Sequence, residues 1–204
     1  MSVDADADAD ASIRALCDSP TARPEPILPD VLAPWLGRRS VGPRRLVAPG
    51  PDARDIARLL AAARNVSDHG RLRPCRIVVA DLAQRERYAT AFLAHAAASR
   101  GLPSPEALDE ATRERERAKA FAAPCMLTLA ARIVPDRPDV PVHEQWMSVG
   151  ASLGALLGAA TALGLAGKAL SGDRVRHPAV RSVVCRDDEL LACFVYLGTR
   201  PASC

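Results

Sequence analysis

The stretch Met147–Gly167 constrains the fold most: 21 residues without a charged side chain, unmatched elsewhere in the 204-residue chain. Gly150, Gly154 and Gly158 recur at every fourth position, so on a helix they line one stripe. Three readings follow. About 20 apolar residues cross a bilayer, and small residues at that spacing let membrane helices touch. The same composition suits a buried central helix, apolar all round because it is covered all round. A glycine-rich cofactor loop leading into a helix is the third. The neighbouring segments separate these readings.

The chain is long enough for one sizeable core. Aromatics make up only 3% of it, so Ala, Leu and Val must fill that core. Lys119 and Lys168 are the only lysines among 27 basic residues, and the formal net charge is +3. That charge is too small to imply nucleic acid, and no basic run is interleaved with aromatics. The six cysteines, Cys17, Cys75, Cys125, Cys185, Cys193 and Cys204, show no C-x-x-C pair. Free thiols in a reducing cytoplasm are the expectation. No H-x-x-x-H or H-E-x-x-H places two histidines for a metal, so no metal is expected. The N-terminus is acidic and lacks an apolar signal segment, so no secretory signal is expected.

Residues 1–30 carry an Asp-Ala repeat and then Pro20, Pro24, Pro26 and Pro29, the composition of a flexible arm. Residues 31–204 read as one domain. A short helical patch ends at Gly37, followed by Arg38, Arg39 and Ser40. Asp52 is placed to cap a helix carrying Ile56, Leu59, Leu60 and Ala63 at helical spacing. A polar loop from Ser67 to Pro74 leads into an apolar strand over residues 76–80. Asp81 opens the next helix, to about Ser99. A charged helix is expected over residues 106–120, with Glu114, Arg115, Glu116 and Arg117 as its solvated face. Further strands are expected over 125–134, 168–171 and 190–197, with a short helix over 174–184. The strands are apolar throughout, so the sheet should be covered on both faces. This order implies an α+β, three-layer arrangement around one mixed sheet. No strand runs through a glycine-rich turn into a helix, which argues against a Rossmann site.

Two clusters carry possible chemistry. Arg38, Arg39 and Ser40 offer two guanidiniums and a hydroxyl, a set suited to a phosphate monoester. His69, Arg71 and Arg73 share a loop closed by Pro74. Taken singly, each reads as a surface cluster in an arginine-rich chain.

In order and separation, however, these motifs resemble the nitroreductase family, and within it the small bacterial NAD(P)H nitroreductases. The similarity runs through Arg38-Arg39-Ser40, Asp68-His69-Gly70 with Pro74, Glu144-Gln145 and Met147-Ser148. It continues through Gly164, Gly167, Ser171-Gly172 and Tyr196–Thr199, covering residues 31 to about 200. The resemblance implies a sandwich with a four- or five-stranded sheet, an intertwined homodimer and FMN at the subunit interface. NAD(P)H would serve as hydride donor to a nitroaromatic, quinone or enone acceptor. It assigns Arg38, Arg39 and Ser40 to the FMN phosphate and ribityl chain, and His69 and Arg73 to the flavin from the other subunit. Lys168, Ala169, Leu170, Ser171 and Gly172 form a further FMN segment. Ala159, Ala160, Thr161, Ala162, Leu163 and Gly164 match a stretch assigned to the nicotinamide nucleotide. The long uncharged stretch then becomes the central helix of a dimer, not a membrane span.

Three departures qualify that picture. Cys75 stands where the family usually has Trp, leaving a gap or a ligand pocket. Ala169-Leu170 replaces Trp-Arg, so Leu170 cannot supply the arginine that holds phosphate. Lys168, two residues earlier on the same side of a strand, or Arg174 or Arg176, are the candidate substitutes. The family's longer C-terminal tail is expected to be missing beyond Cys204. These departures leave a second reading open: a divergent dimer with weak or no FMN binding, serving as a ligand-binding or regulatory protein, or a pathway-specific flavin dehydrogenase.

Overall fold

The computed structural model describes residues 29–201. The predicted arm therefore lies outside the described residues, apart from Pro29 and Asp30, which begin the first helix. Four strands form the sheet: β1 (Cys75–Val79), β2 (Cys125–Ala131), β3 (Ala166–Leu170) and β4 (Leu190–Gly198), in the order β1-β2-β4-β3. Each neighbouring pair is antiparallel. The mixed sheet expected from sequence is thus an antiparallel one, with a single parallel bridge between Ser40 and Gly167 at its edge. Strands β2 and β3 run in the same direction and are joined across α5, but β4 lies between them and pairs antiparallel with both, so no two neighbouring strands are parallel.

Among the described residues six α-helices flank it: α1 (Pro29–Leu36), α2 (Ala53–Arg64), α3 (Leu82–Ala98), α4 (Glu110–Ala118), α5 (Val142–Ala162) and α6 (Pro178–Arg181). The starts of α2 and α3 follow from local chemistry. The Asp52 carboxylate accepts from the Asp55 N–H at 2.8 Å, and Asp81 with Gln84 forms a reciprocal capping box. The helix expected over 174–184 is shorter, split by Pro178 into a 3-10 turn over Asp173–Arg176 and the single turn α6.

Strand alternation divides the core in two. One sheet face presents Met126, Phe194 and Tyr196 to Tyr88 and Phe92 of α3. The three rings of Tyr88, Phe92 and Phe194 meet at 5.2–5.8 Å, the Phe194 contacts edge-on. The other face presents Leu127, Leu129, Val195 and Leu197 to Leu59 and Ala63 of α2 and Leu156 and Ala160 of α5. The three layers predicted are therefore present. No helix among the described residues is long and apolar enough to cross a membrane.

The expected solvated face of α4 needs correction at Glu116, which is buried at 4% exposure. Its carboxylate accepts from Lys119 Nζ at 2.6 Å and Arg174 Nη2 at 2.8 Å. Burial alone would raise its pKa, but those two cations hold it below the ordinary value. A second buried carboxylate, Glu189, is gripped by both Arg76 Nε and Nη2 and also accepts from the Arg186 N–H at 2.8 Å.

Candidate functional site

The segment after α1 is fixed to the sheet by its backbone. Ser40 bridges Gly167, and the Val41 N–H donates to the Gly167 carbonyl at 3.1 Å. A side chain at Gly167 would lie 2.5 Å from both Leu197 Cδ2 and the Tyr196 carbonyl oxygen, so the close strand packing there requires glycine. Arg38, Arg39 and Ser40 are thereby brought beside β3 and its Lys168. Arg39 Nη1 donates to the Leu36 and Arg38 carbonyls at 3.1 and 3.0 Å, and Arg38 Nη1 reaches Ser40 Oγ at 3.5 Å. Among the described residues none of Arg38, Arg39 and Lys168 has a carboxylate partner. A cluster of cations without counter-charge favours an anionic ligand.

Lys168 faces Tyr196 across the β3–β4 pair, and Leu170 faces Phe194. Leu170 packs against the aromatic core, while half-buried Ala169 turns to the opposite face. Of the possible substitutes for a missing arginine, Arg174 is committed to Glu116 and stacks over the Phe92 ring at 4.4 Å. Exposed Arg176 lies 3.7 Å from Asp173. Ser171 and Gly172 follow β3 and line a 520 Å³ cavity with Trp146, Arg176 and Leu190.

The loop before β1 is built differently. Gly70, Arg71 and Arg73 all have left-handed backbones, at φ of 69°, 53° and 49°. Such a conformation costs a non-glycine residue about 1 kcal/mol or more, so something must hold it. The Asp68 carboxylate accepts from the Arg73 N–H at 2.8 Å, and Ser148 Oγ donates to the Ser67 carbonyl at 2.9 Å. His69 Nδ1 lies 2.7 Å from Glu144 Oε2, which ties the loop to the start of α5. Arginine carries no sequence signature for this conformation, so the strained turn was not legible beforehand.

The two clusters do not meet within one chain. Cys75, next to Arg73, registers with Ala131, which registers with Leu190 at the start of β4. Gly167, beside Ser40, registers with Leu197 near the end of β4, on the other edge of the sheet. They occupy diagonally opposite corners, separated by about 14 Å across the three strand spacings and about 20 Å along the strands. The segment 159–164 is the last turn of α5 and its cap: Ala160 is buried in the core, whereas Ala162 and Gly164 are exposed.

Helix α5 connects the corners. Its first turn meets His69, and Gly158 near its end packs under Trp35, whose ring would be 2.4 Å from an added side chain. Gly150 and Gly154 have nothing within 4 Å of an added side chain. They share an outer stripe with Trp146 (39% exposed), Met147 (68% exposed) and Ala151. Glycine inside a helix costs about 1 kcal/mol relative to alanine, and no contact among the described residues accounts for these two.

This architecture is that of a nitroreductase-like sandwich. A nitroreductase-like protein from Bacillus cereus superposes with a TM-score of 0.65 at 16% identity, covering 82% of this chain and 84% of that one. The FMN-dependent nitroreductase NfnB from Mycobacterium smegmatis, solved with NADPH, gives 0.64 at 16% identity, covering 87% and 90%. In sequence, the nitroreductase family model matches residues 36–199. The Escherichia coli (strain K12) protein named "Putative NAD(P)H nitroreductase YdjA" is 33% identical over 171 residues, 83% of this chain and 88% of that protein. A Haemophilus influenzae protein named as an NAD(P)H nitroreductase of the same standing is 31% identical over 157 residues, 76% of this chain and 82% of its own length. The chain belongs to the nitroreductase family.

Proposed function

We propose that this protein is an FMN-dependent oxidoreductase that takes hydride from NAD(P)H and delivers it to a small organic acceptor of nitroaromatic, quinone or enone type, working as a cytoplasmic homodimer. Family membership and the FMN- and NADPH-dependence of its structural relatives support the class. The observation that carries the reading is the placement of the two clusters at opposite corners, with a glycine stripe between them that none of the described residues covers.

Pairing α5 with its counterpart in a second copy, antiparallel about the Gly150–Gly154 stripe, covers that stripe. Such a two-fold pairing sets the start of one α5 beside the end of the other. His69 and Arg73 of one copy then approach Arg38, Arg39, Ser40 and Lys168 of the other. The homodimer makes two sites, each drawing on both chains.

The residues fit the cofactor at its anionic end. Arg38 and Arg39 present guanidiniums able to grip phosphate oxygens in pairs, and the Ser40 hydroxyl can donate to them. Lys168 supplies the cation that Leu170 does not, with Ala169, Ser171 and Gly172 shaping the edge beside it. His69 and Arg73 add donors toward the ring system, and the exposed positions of 159–164 offer the nicotinamide nucleotide an approach. FMN, when bound, supplies two-electron hydride acceptance and donation. The chain's own work is to hold, orient and exclude water, which accounts for the lack of an acid–base constellation. Free Cys75, Cys125, Cys185 and Cys193 suit a reducing compartment.

Leu170, half-buried and packed against the aromatic core, also favours a second reading, a flavin-poor ligand-binding dimer. Absorbance of the purified protein separates the two. The enzyme reading expects bound FMN, released on denaturation, and NAD(P)H oxidation with a nitroaromatic or quinone. A colourless protein that takes up no added FMN would overturn it.

A further inference from the structure

A cavity of about 600 Å³ opens between α2, α5 and the start of β1, on the inner side of α5. Its size falls within the range that takes small organic ligands. Ala63, Val66, Pro74 and Cys75 form an apolar floor, and Ser148 and Ser152 border it. Both serines are buried, at 7% and 4% exposure. Arg64 from the last turn of α2 and Arg73 from the strained loop also line it. Neither guanidinium has a hydrogen-bond or ion-pair partner among the described residues, unlike Arg76, whose side chain leaves for Glu189. The cavity's one carboxylate, Asp68, is engaged by the Arg73 N–H. Two unpaired guanidiniums therefore face one carboxylate over an apolar floor. The Cys75 thiol is held above its ordinary pKa by burial, eased by its contact with Ser152, so it contributes a neutral surface and no negative charge.

We propose that this cavity binds a small organic carboxylate, with Arg64 and Arg73 taking the carboxylate and the Ala63–Val66–Pro74–Cys75 floor taking an apolar or aromatic body. The charge balance selects the anion, because a planar guanidinium matches a carboxylate with two parallel hydrogen bonds. The floor selects an apolar body, because a strongly hydrated ion would leave its apolar surface wet. The site does not depend on flavin. Arg73 is the one residue it shares with the proposed cofactor site, so the test rests on Arg64 and Cys75.

Calorimetric titration of the purified full-length chain with benzoate and with benzamide tests the proposal, with flavin content recorded for every sample. Benzoate should bind at least about tenfold more tightly than uncharged benzamide, the loss expected for one charge-assisted bond. Arg64→Ala should weaken benzoate by about the same factor and leave benzamide unchanged. Cys75→Trp, which fills the floor, should abolish binding of both while flavin retention stays at the wild-type level. Equal affinity for the two ligands, no benzoate binding at millimolar concentration, or unchanged benzoate affinity in Arg64→Ala would each overturn it. Arg64 is exposed at a helix end, so that variant carries the test even where Cys75→Trp fails to fold. Loss of flavin with benzoate selectivity intact would count against the cofactor assignment alone.

Discussion

The two sides of the sheet solve different problems. On the α3 side the core is finished: three aromatic rings interlock, and Arg76 and Arg174 both end on buried carboxylates. On the α5 side Leu156 and Ala160 pack into the core, but the outer stripe and the cavity beside α2 are left open, and Arg38, Arg39, Arg64 and Arg73 have no carboxylate partners among the described residues. Arginine in this chain is therefore two kinds of residue. Where its charge is spent internally it stabilises one subunit; where it is left over it marks a place for something the subunit lacks.

The largest break in that comparison should come from the finished side. Glu189→Ala removes the carboxylate facing Arg76 and should cost about 3 kcal/mol, because it strands a partly buried cation. Urea unfolding at neutral pH measures it, and a loss below about 0.5 kcal/mol would place Glu189 among ordinary surface residues. On the open side Gly154→Leu should act in the opposite sense within one chain. Its helix propensity favours leucine by roughly 0.8 kcal/mol, and nothing among the described residues lies within 4 Å of an added Cβ. Assembly should nevertheless fail, giving a monomer by light scattering with flavin lost. A stable, flavin-loaded dimer of this variant would remove α5 from the interface.

Arg38→Ala should leave unfolding within about 0.5 kcal/mol of wild type, yet weaken FMN retention roughly ten- to a hundredfold, the worth of a charged hydrogen bond. Equilibrium dialysis decides it.

The smallest effect concerns protons. Burial, with Arg174 and His177 adding repulsion, lowers the pKa of His95 below its ordinary 6.5. A depressed histidine lets the unfolded chain bind protons first, so its contribution is fully present above pH 6.5 and is lost as pH falls through the folded value. Glu116 and Glu189, also lowered, extend the loss below pH 4.5. The melting temperature should therefore drop in two stages on acidification, and His95→Gln should remove only the first.

These contrasts also explain what the sequence disclosed. Caps at Asp52 and Asp81 and the apolar strand runs are local, and they were legible residue by residue. Glu116 was misread as solvated because its partner Arg174 lies 58 positions away. The neighbourhood of Ser40 and Gly167, the left-handed backbones of Arg71 and Arg73, and the split between the two corners are likewise long-range or conformational facts. The resemblance named the site residues and set His69 and Arg73 on the other subunit; the register adds how far apart one chain keeps the two clusters.

That separation is the central claim, and mixed dimers test it directly. Arg38→Ala and Arg73→Ala chains are purified separately, then unfolded together, refolded and supplied with FMN. If each site takes Arg38 from one copy and Arg73 from the other, every mixed dimer has one doubly damaged site and one intact site. Random pairing makes about half the dimers mixed, so tight flavin binding should return to about a quarter of the wild-type level. Binding no greater than the average of the two variants alone would mean that both arginines serve the same site within one chain, and the account would be wrong.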